Sequence, residues 1–460
     1  MKDDQILHQK ASHLVPRPPL SQMLIYASGQ LGWSLTIFGP TSLLIYFYLP
    51  PENNGVSLFP VYLPTLVIFG FLTIIGLLSF MGRVVDAISD PIVAGLSDNF
   101  QSRFGKRKTF FGMAVIPFIV STLLIFFPPF EPQSTYNIVW LAGMLIVFYL
   151  SFTCYVIPYS ALISELGHHP KDRLVISSLI SAAWAIGIIS GSSLYALQHH
   201  FQHTMTPVEA FQLSLFILVM IASVFMVIPV FFLKEIKYTL QLSQAISFRS
   251  SLRLVLKNSN FKRYIFSDLM YWLSITFIQT GLSYYITLIF GYDIQYATIF
   301  LAIAFIGSFL FYAPVNILVN RFGKKKILSG AFLGTAIVFL SLFMVDILPL
   351  PRMFLFVFIA ALVSLPLACF GIIPNALIAD IIHIEEHKTG VNQSGMYYAV
   401  RNFMMKMGIS VGNLLFPSLL IFGKSETDYT GVKLTVLVAI VICISGFLIF
   451  TRFKEIPSIE

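Results

Sequence analysis

The sequence predicts an all-α integral membrane protein, with twelve transmembrane helices in two six-helix pseudo-repeats. Three observations predict it. First, 57% of the 460 residues are hydrophobic and 11% are charged, with a mean hydropathy of +0.82. Repeated apolar runs of about twenty residues exclude an ordinary soluble domain. Second, Arg103-Phe-Gly-Lys-Arg-Lys108 recurs as Arg321-Phe-Gly-Lys-Lys-Lys326, and Ala161-Leu-Ile-Ser-Glu165 as Ala376-Leu-Ile-Ala-Asp380, at offsets of 218 and 215 residues. Two matches at nearly one offset mark a duplication. Third, lysines and arginines gather in alternate loops.

The apolar runs place spans at 22–49, 62–97, 109–130, 137–165, 174–198, 208–233, 264–290, 295–320, 327–346, 353–382, 391–422 and 431–451. The domain plan is a tail (1–21), a six-helix bundle (22–233), a charged, Ser-rich linker (234–262), a second bundle (263–451) and a tail (452–460). Residues 1–21 are polar and contain three prolines, so no cleavable leader is expected and the first span does the targeting. Arg103, Lys106, Arg107, Lys108, Lys171, Arg173, Arg321, Lys324, Lys325 and Lys326 follow even-numbered spans, and the linker is basic too. The opposite loops hold Arg352, Lys424 and Lys433. This asymmetry predicts that both termini are cytoplasmic. It also accounts for the net charge of +8 without a nucleic-acid partner, because short inter-helix turns offer no folded basic face. Parallel repeats of six helices are the architecture of major facilitator carriers, in which two halves rock about a midplane site.

The run Met81-Gly-Arg-Val-Val-Asp-Ala-Ile-Ser-Asp-Pro91 carries the chemistry. On a helix, Arg83, Asp86 and Asp90 share one face. Ionisable residues inside a span line a wet cavity or an ion path by default. Two acceptor-only carboxylates on one face suit a small hard cation or a shared proton. A neutralised structural Arg–Asp pair with one protonated carboxylate is the alternative. The turn Arg103–Lys108 reads as a tight loop whose Gly takes a positive φ. Asp98 before it is placed to latch against Arg103, Lys106 and Arg107, with Arg321 in the equivalent loop, unless these residues are simple topological anchors.

Other patterns imply less. Cys154, Cys369 and Cys443 fall in apolar spans and read as small hydrophobes rather than a disulfide or zinc framework. His383-Ile-Glu-Glu-His387 matches H-x-x-E-H, but its local sequence lacks a third ligand and a cleft. His199, His200 and His203 read as a solvated external loop. Gly187-x-x-x-Gly191 and Gly408-x-x-x-Gly412 predict close helix packing. No nucleophile–base set, phosphate loop or dinucleotide fingerprint is present, so the chain is not expected to be an enzyme or to hold a cofactor.

Arg83-x-x-Asp86-Ala-Ile-Ser-Asp90-Pro followed by the basic turn resembles the glycoside–pentoside–hexuronide:cation symporter family, the melibiose permease group. Ile157-Pro-Tyr-Ser-Ala-Leu-Ile-Ser-Glu165, Lys171-Asp-Arg173, Ala379-Asp380 and Lys388-Thr-Gly390 extend the resemblance over nearly the whole chain. It implies that Asp86 and Asp90 bind the coupling Na+, Li+ or H+, with Ser89 in place of an Asn and Thr153 matching a cation-site Thr. Lys406 matches a family Lys near those carboxylates, and it also stands out by itself in an apolar, Met-rich span. The sugar side departs from the family: the aligned positions are Ser34, Val156, Ser160 and Ile180, so the polar clamp for a galactoside is largely gone. Replacement pocket groups are Gln30, Trp33 and Ser34; Tyr155 and Tyr159; Tyr271, Trp272, Gln279, Thr280, Tyr284 and Tyr285; and Asn392, Gln393, Tyr397 and Tyr398.

The function expected is cation-coupled uptake of a small solute, a glycoside or related sugar on family grounds, by a monomer in a bacterial inner membrane. A lysophospholipid or other amphiphile is the rival solute, with Lys406 as headgroup contact. A non-transporting membrane sensor is the rival from another class.

Overall fold

The computed structural model describes residues 16–53, 56–64, 66–68, 70, 72–100, 102–167, 170–238, 255, 257–389 and 394–454. Certain side chains within these ranges, those of Asp98, Lys171 and Arg173 among them, lie outside the description. Twelve long helical runs stand among the described residues, each overlapping one expected span. They begin with α1 (Leu20–Phe38), which continues through a π turn (Gly39–Leu43) into α2 (Leu44–Tyr48). Next come α3 (Ile74–Asn99), α4 (Lys106–Ile125), α5 (Thr135–Leu166), α6 (Pro170–Phe201), α7 (Pro207–Phe232) and the short α8 (Glu235–Tyr238). The rest are α9 (Ser259–Tyr284) with a π turn (Tyr285–Ile289), α10 (Tyr296–Phe322), α11 (Lys324–Phe343), α12 (Arg352–Thr389), α13 (Ser394–Leu419) and α14 (Thr430–Thr451).

Nine of these helices are long and apolar enough to cross a membrane among the described residues. The three that fall short, α1, α3 and α9, are diluted by buried polar residues: Gln22, Gln30 and Ser34 on α1, Arg83, Asp86 and Ser89 on α3, and Asp268, Thr276 and Thr280 on α9.

The second span is shorter than expected. The described residues among 62–73 are not helical; Val67–Ile68 and Leu72–Thr73 (β3, β4) pair antiparallel, Val67 opposite Thr73. Glu52–Asn53 and Val56–Ser57 (β1, β2) pair likewise, Glu52 opposite Ser57. Pro60 and Pro64 disfavour helix in the residues before them, and Gly70 turns the chain back at φ 77°, leaving the helix to start at Ile74. The helix of the seventh span starts ahead of residue 264. Asn258 accepts a hydrogen bond from the Phe261 amide (2.9 Å) and caps α9 at Ser259, as a helix-starting Asn does. His199 and His200 lie in the last turn of α6 rather than in a loop. Among the described residues no group of three or more His, Cys, Asp or Glu side chains is placed to hold a metal.

The duplication is visible in local geometry. The turn glycines Gly105 and Gly323 adopt φ 110° and 86°, a region that L side chains rarely enter. On α6, a methyl group at Gly187 would lie 1.9 Å from Ser34 Oγ, and one at Gly191 2.6 Å from Phe38 Cβ, so these glycines let α1 approach. On α13, Gly408 and Gly412 do the same for α9: a methyl at Gly408 would lie 2.6 Å from the Leu269 carbonyl oxygen.

The chain divides into two compact units. One comprises 1–47, 62–64 and 84–244, the other 48–61, 65–83 and 245–460. Within the second unit, the segment after α2 is tied to the loop before α14. Glu52 N–H donates to the Lys424 carbonyl (3.1 Å), and Glu426 N–H donates to that of Glu52 (3.1 Å). Lys424 Nζ holds the Glu52 carboxylate at 2.5 Å and the Pro50 carbonyl at 2.8 Å.

Candidate functional site

Asp86, Ser89 and Thr153 come together inside the first unit. Thr153 Oγ1 donates to Asp86 Oδ1 at 2.8 Å, and Ser89 Oγ donates to Thr153 Oγ1 at 3.1 Å and to the Asp86 carbonyl at 3.0 Å. Asp86 is completely buried, Thr153 and Ser89 nearly so. Asp90 is half-buried one turn further along α3. Spacing on α3 sets Asp86 and Ser89 on adjacent turns, and α5 supplies Thr153 across the helix pair. Removing a carboxylate from water is costly unless charged or hydrogen-bonding groups meet it. The hydrogen bonds from Thr153 to Asp86 and from Ser89 to Thr153 join carboxylate and hydroxyl oxygens, the kind of donor a hard cation takes. Arg83 is buried on the same helix, and Lys406 is buried on α13.

Several expected pocket residues pack helices instead. Tyr26 and Tyr159 stack at 4.4 Å, with Tyr155 stacked on Tyr159 at 5.7 Å. Tyr26 OH donates to the Tyr159 carbonyl at 2.6 Å, Tyr159 OH returns a bond to that of Tyr26, and Tyr155 OH donates to Met226 O at 3.3 Å. These fully buried phenols cross-link α1, α5 and α7. Ser34 is buried against Gly187, bonding the Leu31 carbonyl at 3.1 Å. Trp33 lies edge-on to Phe152 at 5.7 Å, its Nε1 buried. Val156 and Gln279 are half-buried. In the second unit, Tyr284 OH donates to the Leu49 carbonyl, Tyr285 OH meets Thr435 Oγ1 at 3.1 Å, and Tyr271 stacks on Phe370 at 3.8 Å. Asn392 and Gln393 lie outside the described residues.

At the basic-turn end of the first unit, Arg107 donates from Nε and Nη2 to Glu165 Oε1 (3.0 and 2.9 Å) and from Nη1 to Ser97 Oγ (2.7 Å). The expected acid for this cluster, Asp98, has its side chain outside the described residues. Glu235 of α8, which the sequence reading passed over, accepts from the Arg107 and Lys108 amides at 3.0 and 2.6 Å. It satisfies the open N–H groups of α4 with a negative charge at the favourable pole of the helix. Burial nevertheless pushes its pKa up, against the lowering effect of those two amides. In the repeat, Lys324, which aligns with Lys106, holds Asp380 Oδ2 at 2.5 Å in a more exposed pair. Arg103 and Arg321 lie over the adjacent rings of Phe104 and Phe322 at 5.0 and 5.3 Å, and Lys106 is half-buried.

A second buried charge group was missed. Asp268 on α9 accepts from Arg401 Nε at 3.1 Å and from Nη2 at 3.5 Å, and Arg401 Nη1 donates to Asn375 Oδ1 of α12 at 2.7 Å. Each residue stood in the sequence as an isolated polar group in an apolar span. The pairing joins positions 133 residues apart, which no local pattern encodes.

The helix arrangement, the duplicated turns and the buried polar groups define a multi-pass membrane carrier of the major facilitator fold. Two solved structures share that fold: the nucleoside transporter NupG (TM-score 0.64, 13% identity, covering 94% of this chain and 99% of that one) and the D-xylose-proton symporter (TM-score 0.61, 14% identity, covering 95% and 97%). A family model described as MFS/sugar transport protein matches residues 26–456, and the chain belongs to that family, in its glycoside–pentoside–hexuronide:cation symporter branch. Relatives include the isoprimeverose transporter of Lactiplantibacillus pentosus, 22% identical over 410 residues, covering 86% of this chain and 78% of that protein. The glucuronide carrier protein homolog of Escherichia coli (strain K12) is 23% identical over 352 residues, 73% of each. The sodium-dependent lysophosphatidylcholine symporter 1 of Mus musculus is 20% identical over 418 residues, 81% of this chain and 77% of that one.

Proposed function

We propose that this chain is a secondary active symporter that couples the inward flow of Na+, Li+ or H+ to uptake of a glycoside or related sugar by alternating access. The observation that carries the reading is the buried oxygen cluster Asp86–Thr153–Ser89, with Asp90 one turn along. A carrier that kept only its fold would have no use for an embedded carboxylate and its hydroxyl partners, given what such a charge costs in a membrane. Binding at this cluster raises affinity for the solute, and linkage requires the solute to tighten cation binding equally. The proposed setting is a bacterial inner membrane, with both termini cytoplasmic, two six-helix halves at 22–233 and 263–451 joined by the linker 234–262, and a monomeric carrier. Arg103, Lys106, Arg107 and Arg321 serve the cytoplasmic gate.

The test is uptake into proteoliposomes under an inward Na+ gradient, compared with a pH gradient, for glycosides, pentosides and hexuronides. Cation-stimulated sugar uptake that Asp90→Asn abolishes in a folded protein supports the reading. Undiminished driven uptake by that variant removes the coupling site. Stimulated transfer of lysophosphatidylcholine alone would move the chain to an amphiphile solute, the reading favoured by its likeness to the mouse symporter.

A further inference from the structure

We infer that Arg401, Asp268, Asn375 and Trp272 form a recognition platform in the second unit for a pair of adjacent hydroxyls on a neutral sugar. This rests on the symporter reading and assigns the solute contacts that the lost galactoside clamp leaves open.

The platform is built rather than incidental. Asp268 lies nine residues into α9 and Arg401 seven into α13, about 10–14 Å along their helices at 1.5 Å per residue. Gly408 and Gly412 bring those helices close enough for the pair to meet. Asp268 is nearly fully buried, whereas Arg401 retains some accessibility (12%) and Asn375 is exposed. Ionisable groups at such depth face a water-filled cavity or the bundle interior, because hydrocarbon would not solvate them. In the proposed platform the accessible edge of this cluster lies on the water-filled side.

Its chemistry selects the ligand. A guanidinium has five N–H donors. Asp268 and Asn375 use three, leaving one on each terminal nitrogen. Two N–H groups on one planar fork match two oxygens. Asn375 accepts through Oδ1 and so keeps its amide N–H groups. Trp272 sits one turn beyond Asp268 on α9, where its buried Nε1–H is turned to the Asp268 carboxylate and braces the cluster; its ring is half-buried and offers an apolar face for sugar C–H groups. The offered groups are thus mostly donors, ranged around an ion pair that is already neutral. An anionic solute would leave its own charge uncompensated here, a heavy cost away from water. A neutral hydroxyl pair accepts the same hydrogen bonds without that cost.

The experiment is isothermal titration of the purified carrier in Na+ with methyl glucopyranosides, galactopyranosides and xylopyranosides and with methyl glucuronide. The variants are Asn375→Ala, Trp272→Phe and the charge-neutral double variant Asp268→Asn/Arg401→Gln, which leaves no buried charge unpaired. For the neutral glycoside bound best, loss of a hydrogen bond predicts affinity about two- to tenfold weaker for Trp272→Phe and Asn375→Ala, and about tenfold or more for the double variant. Na+ protection against thermal unfolding, a readout at the Asp86 cluster, should stay at the wild-type value in all three. Wild-type affinity for the glycoside in all three variants would overturn this inference and leave the symporter reading standing. Tighter binding of the glucuronide than of every neutral glycoside would overturn the ligand class. A wild type that binds none of the panel would overturn both.

Discussion

Thr153→Val is the sharpest probe of the proposed cation cluster. Valine nearly matches threonine in shape but cannot donate to Asp86 Oδ1 or accept from Ser89 Oγ, contacts now at 2.8 and 3.1 Å. Ser89 keeps its bond to the Asp86 carbonyl at 3.0 Å, so no hydroxyl is orphaned and the packing has no reason to fail. Hydrogen bonds to charged groups are worth about 1.5–3 kcal/mol, which at about 1.4 kcal/mol per decade is a roughly 10- to 150-fold loss of cation affinity. The assay is the Na+ concentration giving half-maximal sugar uptake in proteoliposomes at fixed pH. Thr153→Ser, which keeps the hydroxyl, should stay close to the wild type. A valine variant with the wild-type Na+ dependence would refute the assignment of Thr153 to the cation site.

Three further outcomes follow from the packing and the charges. Arg107→Gln breaks a pair whose side chains are only 7% and 12% exposed and should destabilise by about 3–5 kcal/mol; Lys324→Gln, at a pair about one-third exposed, should cost no more than about 1 kcal/mol. Thermal melts in detergent compare them. Gly408→Val drives a side chain into the Leu269 carbonyl and should cost about 1–3 kcal/mol by overpacking, read as a lower melting temperature and less monodisperse protein. Because burial raises the Glu235 pKa above its ordinary value, its favourable contribution is full below about pH 4.5 and declines as pH rises through the folded value. The melting-temperature advantage of the wild type over Glu235→Gln should therefore shrink from pH 4.5 upward, and an advantage that grows would contradict the buried geometry.

The fold was legible because membrane helices announce themselves through composition, and because the turn around Gly105 was copied around Gly323. The residues of the proposed cation site were legible for a related reason: Asp86 and Asp90 stand out against an apolar span, and their spacing is local. What sequence could not supply was tertiary. Tyr155, Tyr159 and Ser34 are polar-capable residues on spans expected to line a pocket, yet their hydroxyls serve backbone carbonyls of their own or neighbouring helices, a use that no spacing distinguishes. Asp268 and Arg401 stayed invisible as a pair for the same reason. The false start of α3 at residue 62 arose because hydropathy cannot separate an apolar hairpin from an apolar helix; the prolines and Gly70 held the better information.

The first helix of each expected half carries a π turn, Gly39–Leu43 and Tyr285–Ile289, and in the latter Phe290 N–H reaches the Tyr285 carbonyl five residues back at 3.0 Å. Such a turn holds one surplus residue, so everything beyond it is rotated by about 100° from where a regular helix would aim it. The tips of these two helices are thus indexed independently of their bases. A surplus residue handed along the helix by exchanging hydrogen bonds one at a time would swivel a tip without breaking its rod, a joint made from a counting error that both halves of the chain have kept.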